Sequence, residues 1–317
     1  MGKILFIRGG AVGDFILTMP AIQLVRDNLP DLEIDILGYP SIAELAVSAG
    51  IADRVRSIEH AAMARFFAPN AELDKDLCDY LASFDVVVSY LYDPDGFFEA
   101  NLLRAGVETL FVGPYRMVEE EPFQPAALQL AKPLESLALY LENPAPVFSF
   151  AGNESSVKRF TDGPLIALHP GSGSPSKNWS FESWIEIVRH IHSLQPETEF
   201  LITSGEAEAE VIPEFLSMLT DTSVPFQHRG DSSLIELASV FSEIDFYLGH
   251  DSGISHLAAS AGAEGLLLFG PTNPKVWAPP HQGMDQLVSA TVSLSEITVS
   301  EVAKRLSNRT YSQGRIL

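Results

Sequence analysis

The chain has very little cysteine and no long apolar run. Cys78 is the single cysteine among 317 residues, so an internal disulfide is impossible and a reducing compartment is expected. No apolar stretch approaches the ~20 residues that a membrane helix needs. The apolar segment at 4–7 is short and Arg8 follows it directly, which does not fit a signal peptide. These features predict a cytoplasmic protein, with at most peripheral contact with the inner face of the cytoplasmic membrane.

Positive charge is also scarce. The 20 Lys and Arg residues are outnumbered by 42 Asp and Glu residues, which gives a formal net charge of −22. The acidic excess is present in both halves, and no basic stripe or block interrupts it. The composition therefore argues against nucleic acid as a partner and against broad attraction to an anionic membrane. Each lysine or arginine beside a glycine-rich loop becomes correspondingly more informative.

The amino-terminal segment KILFIRGGAVGD lacks part of a dinucleotide-binding fingerprint. The pattern G-x-G-x-x-G would need a glycine at position 8, where Arg8 stands, ahead of Gly10 and Gly13. The helix that follows begins near Asp14, whose carboxylate would repel the pyrophosphate that such a helix normally receives. A nicotinamide oxidoreductase is therefore the weaker interpretation, and Asp14 needs another role.

Metal-binding patterns are missing as well. The histidines show no metal-ligand spacing with cysteine or acidic neighbours. The Asp-Pro-Asp run at 93–95 imitates a D-x-D metal motif, but its central proline favours a turn. We therefore expect neither a metal site nor a cofactor.

What the sequence does contain is a regular alternation of strand-like and helical segments, which predicts βαβ units and parallel sheets. The Pro-, Ser-, Asn- and Gly-rich segment 142–156 is the predicted linker. It separates predicted domains at 1–150 and 157–317, with the last helix a candidate to pack back on the first domain. Strands are predicted at 4–7, 33–37, 86–90, 109–112, 165–169, 200–203, 226–228, 245–249 and 265–269. Helices are predicted at 15–28, 41–49, 71–82, 97–104, 124–141, 181–193, 207–219, 232–240, 254–262 and 299–307.

Three loops of the second half follow predicted strands and carry chemistry suited to an anion. In the first, HPGSGSPSKNW, the glycines and serines at 171–174 offer amides and hydroxyls, and Lys177 adds a point charge. In the second, Asp251-Ser252-Gly253 leads into a helix whose free amides form an anion site. The third is the Gly-Pro-Thr turn at 270–272. Each loop alone also fits a plain connection or a capped helix.

For several other residues near these loops, the sequence allows two roles each and does not decide between them. In SGEAEAE (204–210) a carboxylate is placed to hold a ribose hydroxyl, although a glutamate-rich helix start also complements the helix dipole. His169 and His250 end predicted strands and either line the ligand site or are structural. Arg8 either meets a substrate or pairs with an acid.

Together these segments resemble glycosyltransferase family 9, the heptosyltransferase-type enzymes of lipopolysaccharide core synthesis. The resemblance rests on four motifs that span both halves in the family's order: VGDFILTMPA (12–21), PGSGSPSKNW (170–179), DSGISH (251–256) and FGPTNP (269–274).

The resemblance implies a GT-B architecture, in which two Rossmann-like domains have parallel sheets that face a central cleft. It implies inverting, metal-independent transfer of a sugar, heptose in such enzymes, from an ADP-linked donor to a hydroxyl of a lipopolysaccharide-core or other surface-glycan acceptor. A glycan or glycolipid acceptor and a nucleotide-sugar donor are then the partners. A non-catalytic nucleotide-sugar-binding relative remains the alternative.

The resemblance also assigns residues. Asp14 matches the general base and Lys177 the catalytic lysine that contacts the diphosphate. Glu208 matches the nucleoside contact, with Glu206 near enough to leave that assignment open. The remaining donor-binding positions are Gly13, Ser172, Gly173, Asp251, Ser252, Gly253, His256 and Thr272.

Overall fold

The computed structural model describes residues 2–151 and 157–313. The chain divides into two compact units, Met1–Pro144 and Ala145–Leu317, and the division falls inside the segment 142–156. Residues 152–156 of the predicted linker lie outside the described residues, as do residues 1 and 314–317 of the two predicted domains.

The first unit contains a five-stranded parallel sheet with the order β3-β2-β1-β4-β5. Its strands are β1 (Lys3–Arg8), β2 (Glu33–Gly38), β3 (Arg54–Ser57), β4 (Val86–Ser89) and β5 (Leu110–Val112). Its α-helices are α1 (Val12–Asn28), α2 (Pro40–Ser48), α3 (Lys75–Leu81), α4 (Phe97–Arg104) and α5 (Ala126–Ala131). The central strand β1 is buried along Ile4–Ile7, as expected for a parallel sheet that is covered on both faces.

The second unit contains a six-stranded parallel sheet with the order β11-β10-β9-β6-β7-β8. Its strands are β6 (Leu165–Leu168), β7 (Glu199–Thr203), β8 (Phe226–Arg229), β9 (Phe246–His250), β10 (Gly265–Phe269) and β11 (Met284–Val288). Its α-helices are α6 (Phe181–Leu194), α7 (Ile212–Thr220), α8 (Leu234–Phe241), α9 (Gly253–Ser260), α10 (Pro274–Trp277) and α11 (Val299–Gln313). Helix α11 packs on α6, and Val302 and Leu306 of α11 join the core of this unit.

Both strand orders are Rossmann-like, because each sheet grows outward in both directions from its first strand. The predicted α/β class with two Rossmann-like domains is therefore confirmed.

Three predicted helices are shorter than expected. The prediction of a helix over 71–82 is wrong at its start, because the Asp74 side chain accepts from the Leu77 amide and caps α3 there. Proline explains the other two. The prediction of a helix over 124–141 is wrong, because α5 ends at Ala131 and a 3₁₀ segment follows over Lys132–Leu137. Pro133 has no amide hydrogen with which to continue the α-helical ladder. The prediction of a helix over 207–219 is also wrong at its start, because Glu206–Glu208 is 3₁₀ and α7 begins only at Ile212, where Pro213 fits the first turn.

Two strands were not predicted. β3 reads RVRS and is partly exposed at the edge of its sheet, and β11 reads MDQLV at the edge of the other sheet. Both carry polar side chains and lack the apolar run that identifies a buried parallel strand.

Candidate functional site

Each sheet has one point at which the strand order reverses. In the first unit it lies between β1 and β4, and in the second unit between β6 and β9. Open α/β sheets bind their ligands beyond the carboxyl ends of the strands at such points. The segments that follow these four strands begin at residues 9, 90, 169 and 251, and they contain most of the residues singled out in the sequence.

Asp14 lies in the first turn of α1, directly after the loop that leaves β1. Its Oδ2 accepts a hydrogen bond from the Ala11 amide at 3.1 Å, and its Oδ1 lies 3.5 Å from the Arg8 guanidinium. The side chain keeps 38% of its surface exposed. Gly10 makes this arrangement possible, because its φ is +98° and a Cβ there would lie 2.8 Å from Asp14 Oδ2. Asp14 is thus a fixed carboxylate that remains open to solvent.

Arg8 pairs with an acid, which is one of the two interpretations that the sequence left open. Its side chain is only 7% exposed, and its guanidinium donates to the carbonyl oxygens of Tyr90 and Asp14 at 3.4 and 3.3 Å. Burial lowers the pKa of Arg8, while Asp14 and Tyr90 act in the opposite direction. Arg8 therefore pairs with an acid and anchors the turn that carries Asp14.

A pocket of about 480 Å³ opens above these two residues, within the first unit. This volume is within the range of small-molecule sites, ~300–1,000 Å³. We call it the aromatic pocket, after the aromatic side chains in its lining. The lining includes Asp14, Glu59, Tyr39, Phe67, Tyr92 and Tyr115, together with Arg8 at its base.

In the second unit, Lys177 and Thr272 converge on Asp251. Lys177 Nζ lies 2.6 Å from Asp251 Oδ2, and the Thr272 hydroxyl donates to the same oxygen at 2.5 Å. Asp251 is buried, whereas the Lys177 side chain is 29% exposed. Three loops, after β6, β9 and β10, are therefore joined at one carboxylate, with an accessible cation at its edge.

The amino terminus of α9 lies beside Asp251. The Ser252 hydroxyl accepts from the Ser255 amide at 3.3 Å and caps the helix. Gly253 is the first residue of α9, and its amide is among those without a partner inside the helix. His256 is buried one turn further along.

Part of the hydrogen-bonding capacity of the loop 171–174 is already used by bonds within the loop and to the neighbouring Asn178. The Ser172 hydroxyl is buried, lies 2.7 Å from Asn178 Oδ1 and accepts from the Ser174 amide at 3.3 Å. Gly173 is exposed, with open space where a Cβ would stand. Ser172 therefore shapes the loop, and the backbone at Gly173 is accessible from solvent.

The two glutamates after β7 are in different surroundings. Glu206 is exposed, whereas Glu208 is only 4% exposed and its Oε2 accepts from the Gly205 amide at 2.8 Å. Glu208 Oε2 also lies 3.8 Å from His169 Nε2, and burial lowers the pKa of His169. A Cβ at Gly171 would lie 2.2 Å from the Glu208 side chain, so only glycine allows the two loops to meet.

His250 is a structural residue that fixes the ends of the first loop. Its Nε2 accepts from the Trp179 amide at 2.8 Å, so that Nδ1 carries the proton toward the Gly171 carbonyl, 3.4 Å away. Burial lowers the pKa of His250 to about 3, which keeps the ring neutral. The imidazole therefore connects Gly171 and Trp179 across the loop that carries Lys177.

The remaining predictions concern metals and membranes. The run 93–95 forms a turn as predicted, since the Gly96 amide donates to the Asp93 carbonyl at 3.3 Å. Within residues 2–151 and 157–313, no group of three or more His, Cys, Asp or Glu side chains is arranged to hold a metal ion. No helix of the described chain is long and apolar enough to cross a membrane.

Sequence reasoning missed the aromatic pocket. An aromatic residue follows each of four strands of the first sheet: Tyr39 after β2, Phe67 after β3, Tyr92 after β4 and Tyr115 after β5. This recurrence after strand ends is a signal that the sequence contains. The place of Phe67 in this series was hidden because β3 was not predicted.

The comparisons with known proteins agree with the fold and the family. Residues 109–304 match the model of glycosyltransferase family 9 (heptosyltransferase). The lipopolysaccharide core heptosyltransferase OpsX of Haemophilus influenzae is 26% identical over 152 residues, which are 48% of this chain and 43% of OpsX. The chain thus matches less than half the length of that curated relative.

Solved structures resemble nearly the whole chain. The glycosyl transferase family 9 protein of Veillonella parvula has a TM-score of 0.78 at 16% identity, over 97% of this chain and 96% of its own. The ADP-heptose lps heptosyltransferase II of E. coli has a TM-score of 0.76 at 17% identity, over 98% and 99%. The E. coli heptosyltransferase WaaC with ADP has a TM-score of 0.74 at 16% identity, over 96% and 99%. These likenesses confirm the predicted GT-B type of fold.

The family match covers more than half of the chain, and the fold agrees with it over both units. The chain belongs to glycosyltransferase family 9 (heptosyltransferase).

Proposed function

We propose that the chain transfers a heptose from ADP-heptose to a hydroxyl group of a surface-glycan acceptor, with inversion at the anomeric carbon and without a metal ion. The observation that carries the proposal is Asp14, a carboxylate held by the Ala11 amide and Arg8 and open to a pocket of ligand size. The names of the relatives, which include ADP-heptose and lipopolysaccharide core, support the choice of donor and acceptor.

In the proposed reaction, Asp14 accepts the proton of the acceptor hydroxyl while the hydroxyl oxygen attacks the anomeric carbon. The bond from that carbon to the leaving phosphate oxygen breaks on the opposite face, which gives inversion. A positioned base of this kind contributes roughly 10²–10⁴-fold to a rate.

The second unit stabilises the leaving diphosphate. Negative charge grows on the phosphate oxygens, and Lys177 and the amides at the start of α9 supply hydrogen bonds and positive potential there. Removal of one such donor costs about 3–4 kcal/mol in well-studied sites. Lys177 and these amides take the role that a metal ion has in other phosphate sites, and this supports metal independence.

Asp251 acts on the donor indirectly. A carboxylate repels a diphosphate, but Asp251 is buried and bonded to Lys177 and Thr272. We infer that it positions these two groups. Glu208, held by the Gly205 amide, is the carboxylate proposed to contact the nucleoside, and Glu206 is not.

A defined reaction tests the proposal. The full chain is incubated with ADP-heptose and a panel of saccharide acceptors, with and without EDTA, and the product is analysed by NMR. We expect ADP release with transfer, the inverted anomeric configuration and no loss of rate in EDTA. Retention of configuration, or a rate abolished by EDTA and restored by a divalent ion, would contradict the mechanism.

The same reaction separates catalysis from simple binding. A non-catalytic relative would bind ADP-heptose in calorimetry but release no ADP, even slowly by hydrolysis. We also propose a cytoplasmic location, for which the single cysteine is the support.

A further inference from the structure

We propose that the aromatic pocket binds an uncharged sugar ring of the acceptor and selects against acceptor sugars that carry a phosphate or a carboxylate at that position. This rests on the proposed function, because it names the acceptor class of the reaction in which Asp14 is the base.

Exposed aromatic rings are the first support. Tyr92 and Tyr115 are 55% and 50% exposed, and Tyr39 and Phe67 are also exposed. All four line one pocket together with Asp14. Large apolar side chains that are exposed together in one patch mark a binding site, whereas single exposed ones are ordinary.

The rings are held in place by other rings. Phe67 stacks on the buried Phe98 with 4.7 Å between centroids and 23° between planes. Tyr92 and Tyr115 pair with 4.6 Å between centroids and a tilt of 50°. Rings fixed in this way present flat apolar surfaces, on which the C–H face of a pyranose packs while its hydroxyls point outward.

The charges of the lining are the second support. The charged residues that line the pocket are Asp14, Glu59 and Arg8. Arg8 is buried, and its guanidinium is already bonded to the carbonyls of Tyr90 and Asp14. Arg116 lies 5.7 Å from the Tyr115 ring but outside the lining. An anionic sugar in this pocket would therefore meet two carboxylates and a cation that is already engaged.

The charges at the proposed ligand site of the second unit differ from those that line the aromatic pocket. There the chain presents an accessible cation, Lys177, in the site that is proposed to take a diphosphate. The two units therefore differ in the kind of ligand their lining suits, an anion in one and a neutral sugar in the other.

Binding by the full chain tests the proposal without need of turnover. The probes are the methyl glycosides of mannose, glucose, galactose and N-acetylglucosamine, together with their 6-phosphates, in saturation-transfer NMR with ADP present. We expect at least one neutral glycoside to bind, its 6-phosphate to bind more weakly, and neutral binding to be insensitive to salt. Equal or stronger binding of the 6-phosphates, or no binding of any neutral glycoside, would overturn the proposal.

Matched variants locate the binding. Tyr92→Leu and Tyr115→Leu should weaken neutral-sugar binding about tenfold and Tyr92→Phe should preserve it. Tyr140→Leu, at an exposed tyrosine outside the lining, is the control. Glu59→Lys should raise the affinity for the 6-phosphates. Loss of binding in the Tyr140 control, or no loss in either leucine variant of the pocket, would contradict the assignment.

The outcomes for the two proposals are separable. If no acceptor in the transfer assay receives a sugar, the proposed function fails, whereas the NMR experiment still reports on the pocket. If transfer occurs but phosphorylated or carboxylated acceptors have the higher kcat/KM, the proposed function stands and this inference fails.

Discussion

Glu206 and Glu208 show how two identical side chains two positions apart acquire different environments. The 3₁₀ turn between them points Glu208 into the unit, where the Gly205 amide holds its carboxylate and Gly171 gives it room. Glu206 stays exposed. The sequence alone could not separate them, because both lie in the same short acidic run and their orientations depend on that turn.

We therefore expect Glu208→Gln to weaken ADP binding about tenfold, since an amide is a poorer acceptor than a carboxylate for a ribose hydroxyl. Glu206→Gln is the matched control and should leave the affinity unchanged. Isothermal titration of ADP into each variant measures the effect, with the unfolding temperature as a check on folding. An equal loss in both variants would refute the assignment of Glu208.

The proposed role of Lys177 can be tested in the same way, by changing one side chain. Lys177→Met keeps most of the side-chain length and removes the charge, so we expect donor affinity to fall at least about tenfold. The control is Lys304→Met, at an exposed lysine on α11. Calorimetry with ADP-heptose measures the change, and an unchanged affinity in Lys177→Met would exclude contact between this lysine and the diphosphate.

At the scale of elements, the loop between β6 and α6 depends on one imidazole. His250 lies at the end of β9, and its two nitrogens face Trp179 and Gly171 at the two ends of the loop. The edge of the Trp184 ring system packs against it, with 5.2 Å between centroids. A neutral ring is required, because Nε2 must accept a hydrogen bond while Nδ1 donates one.

This requirement predicts a pH dependence of stability. The pKa of His250 is lowered from 6.5 to about 3 by burial, so the folded chain binds fewer protons than the unfolded chain between these values. The stabilisation is fully present above about pH 6.5 and is lost toward about pH 3, at up to about 1.4 kcal/mol per pH unit from this group. Urea unfolding over this range measures it.

His250→Phe should lower the stability at neutral pH, because two hydrogen bonds are lost, and should flatten the slope below about pH 6.5. His60→Gln, at an exposed histidine, should keep the slope of the parent chain. An unchanged slope in His250→Phe would show that the buried imidazole is not the group that titrates.

Elements also show where prediction from sequence succeeded. The buried strands were found, because β1, β6, β9 and β10 are continuous apolar runs. The edge strands β3 and β11 were missed, because their polar residues are stabilised by pairing with a neighbour and not by an apolar run of their own. The end of α5 was misplaced because Pro133 stops the α-helix and a 3₁₀ segment follows, and the start of α7 was misplaced because a separate 3₁₀ turn precedes it; hydrophobic periodicity reports neither.

For the chain as a whole, the net charge of −22 destabilises the folded state relative to the unfolded state. Like charges repel within the folded chain, and salt shortens the range of this repulsion from about 30 Å at 0.01 M to about 10 Å at 0.1 M. The exposed ion pairs, such as Arg54–Glu33, are worth about 0–1 kcal/mol each and offset little of it.

We therefore expect the unfolding temperature to rise by a few degrees when NaCl is raised from about 0.01 M to about 0.1 M. Scanning calorimetry measures this, and sucrose at matched osmolality controls for general solute effects. A fall in the unfolding temperature would mean that screened ion pairs outweigh the relieved repulsion.

The prediction of function from the sequence also depended on whether the residues of a site lie in one continuous segment or come together from distant parts of the chain. The four ordered motifs identified the family, because each motif is a continuous segment of the chain. The aromatic pocket was not foreseen, because its residues come from the segments after five different strands and converge only when the sheet order is known.

The proposed mechanism divides the reaction between an acid of the first unit and the donor-binding groups of the second. The most direct measurement compares kcat with ADP-heptose affinity in Asp14→Asn and in Asp27→Asn, an exposed position on the same helix. We expect Asp14→Asn to lower kcat at least about 100-fold with nearly unchanged donor affinity, and Asp27→Asn to behave as the parent chain. Undiminished transfer by Asp14→Asn would contradict it.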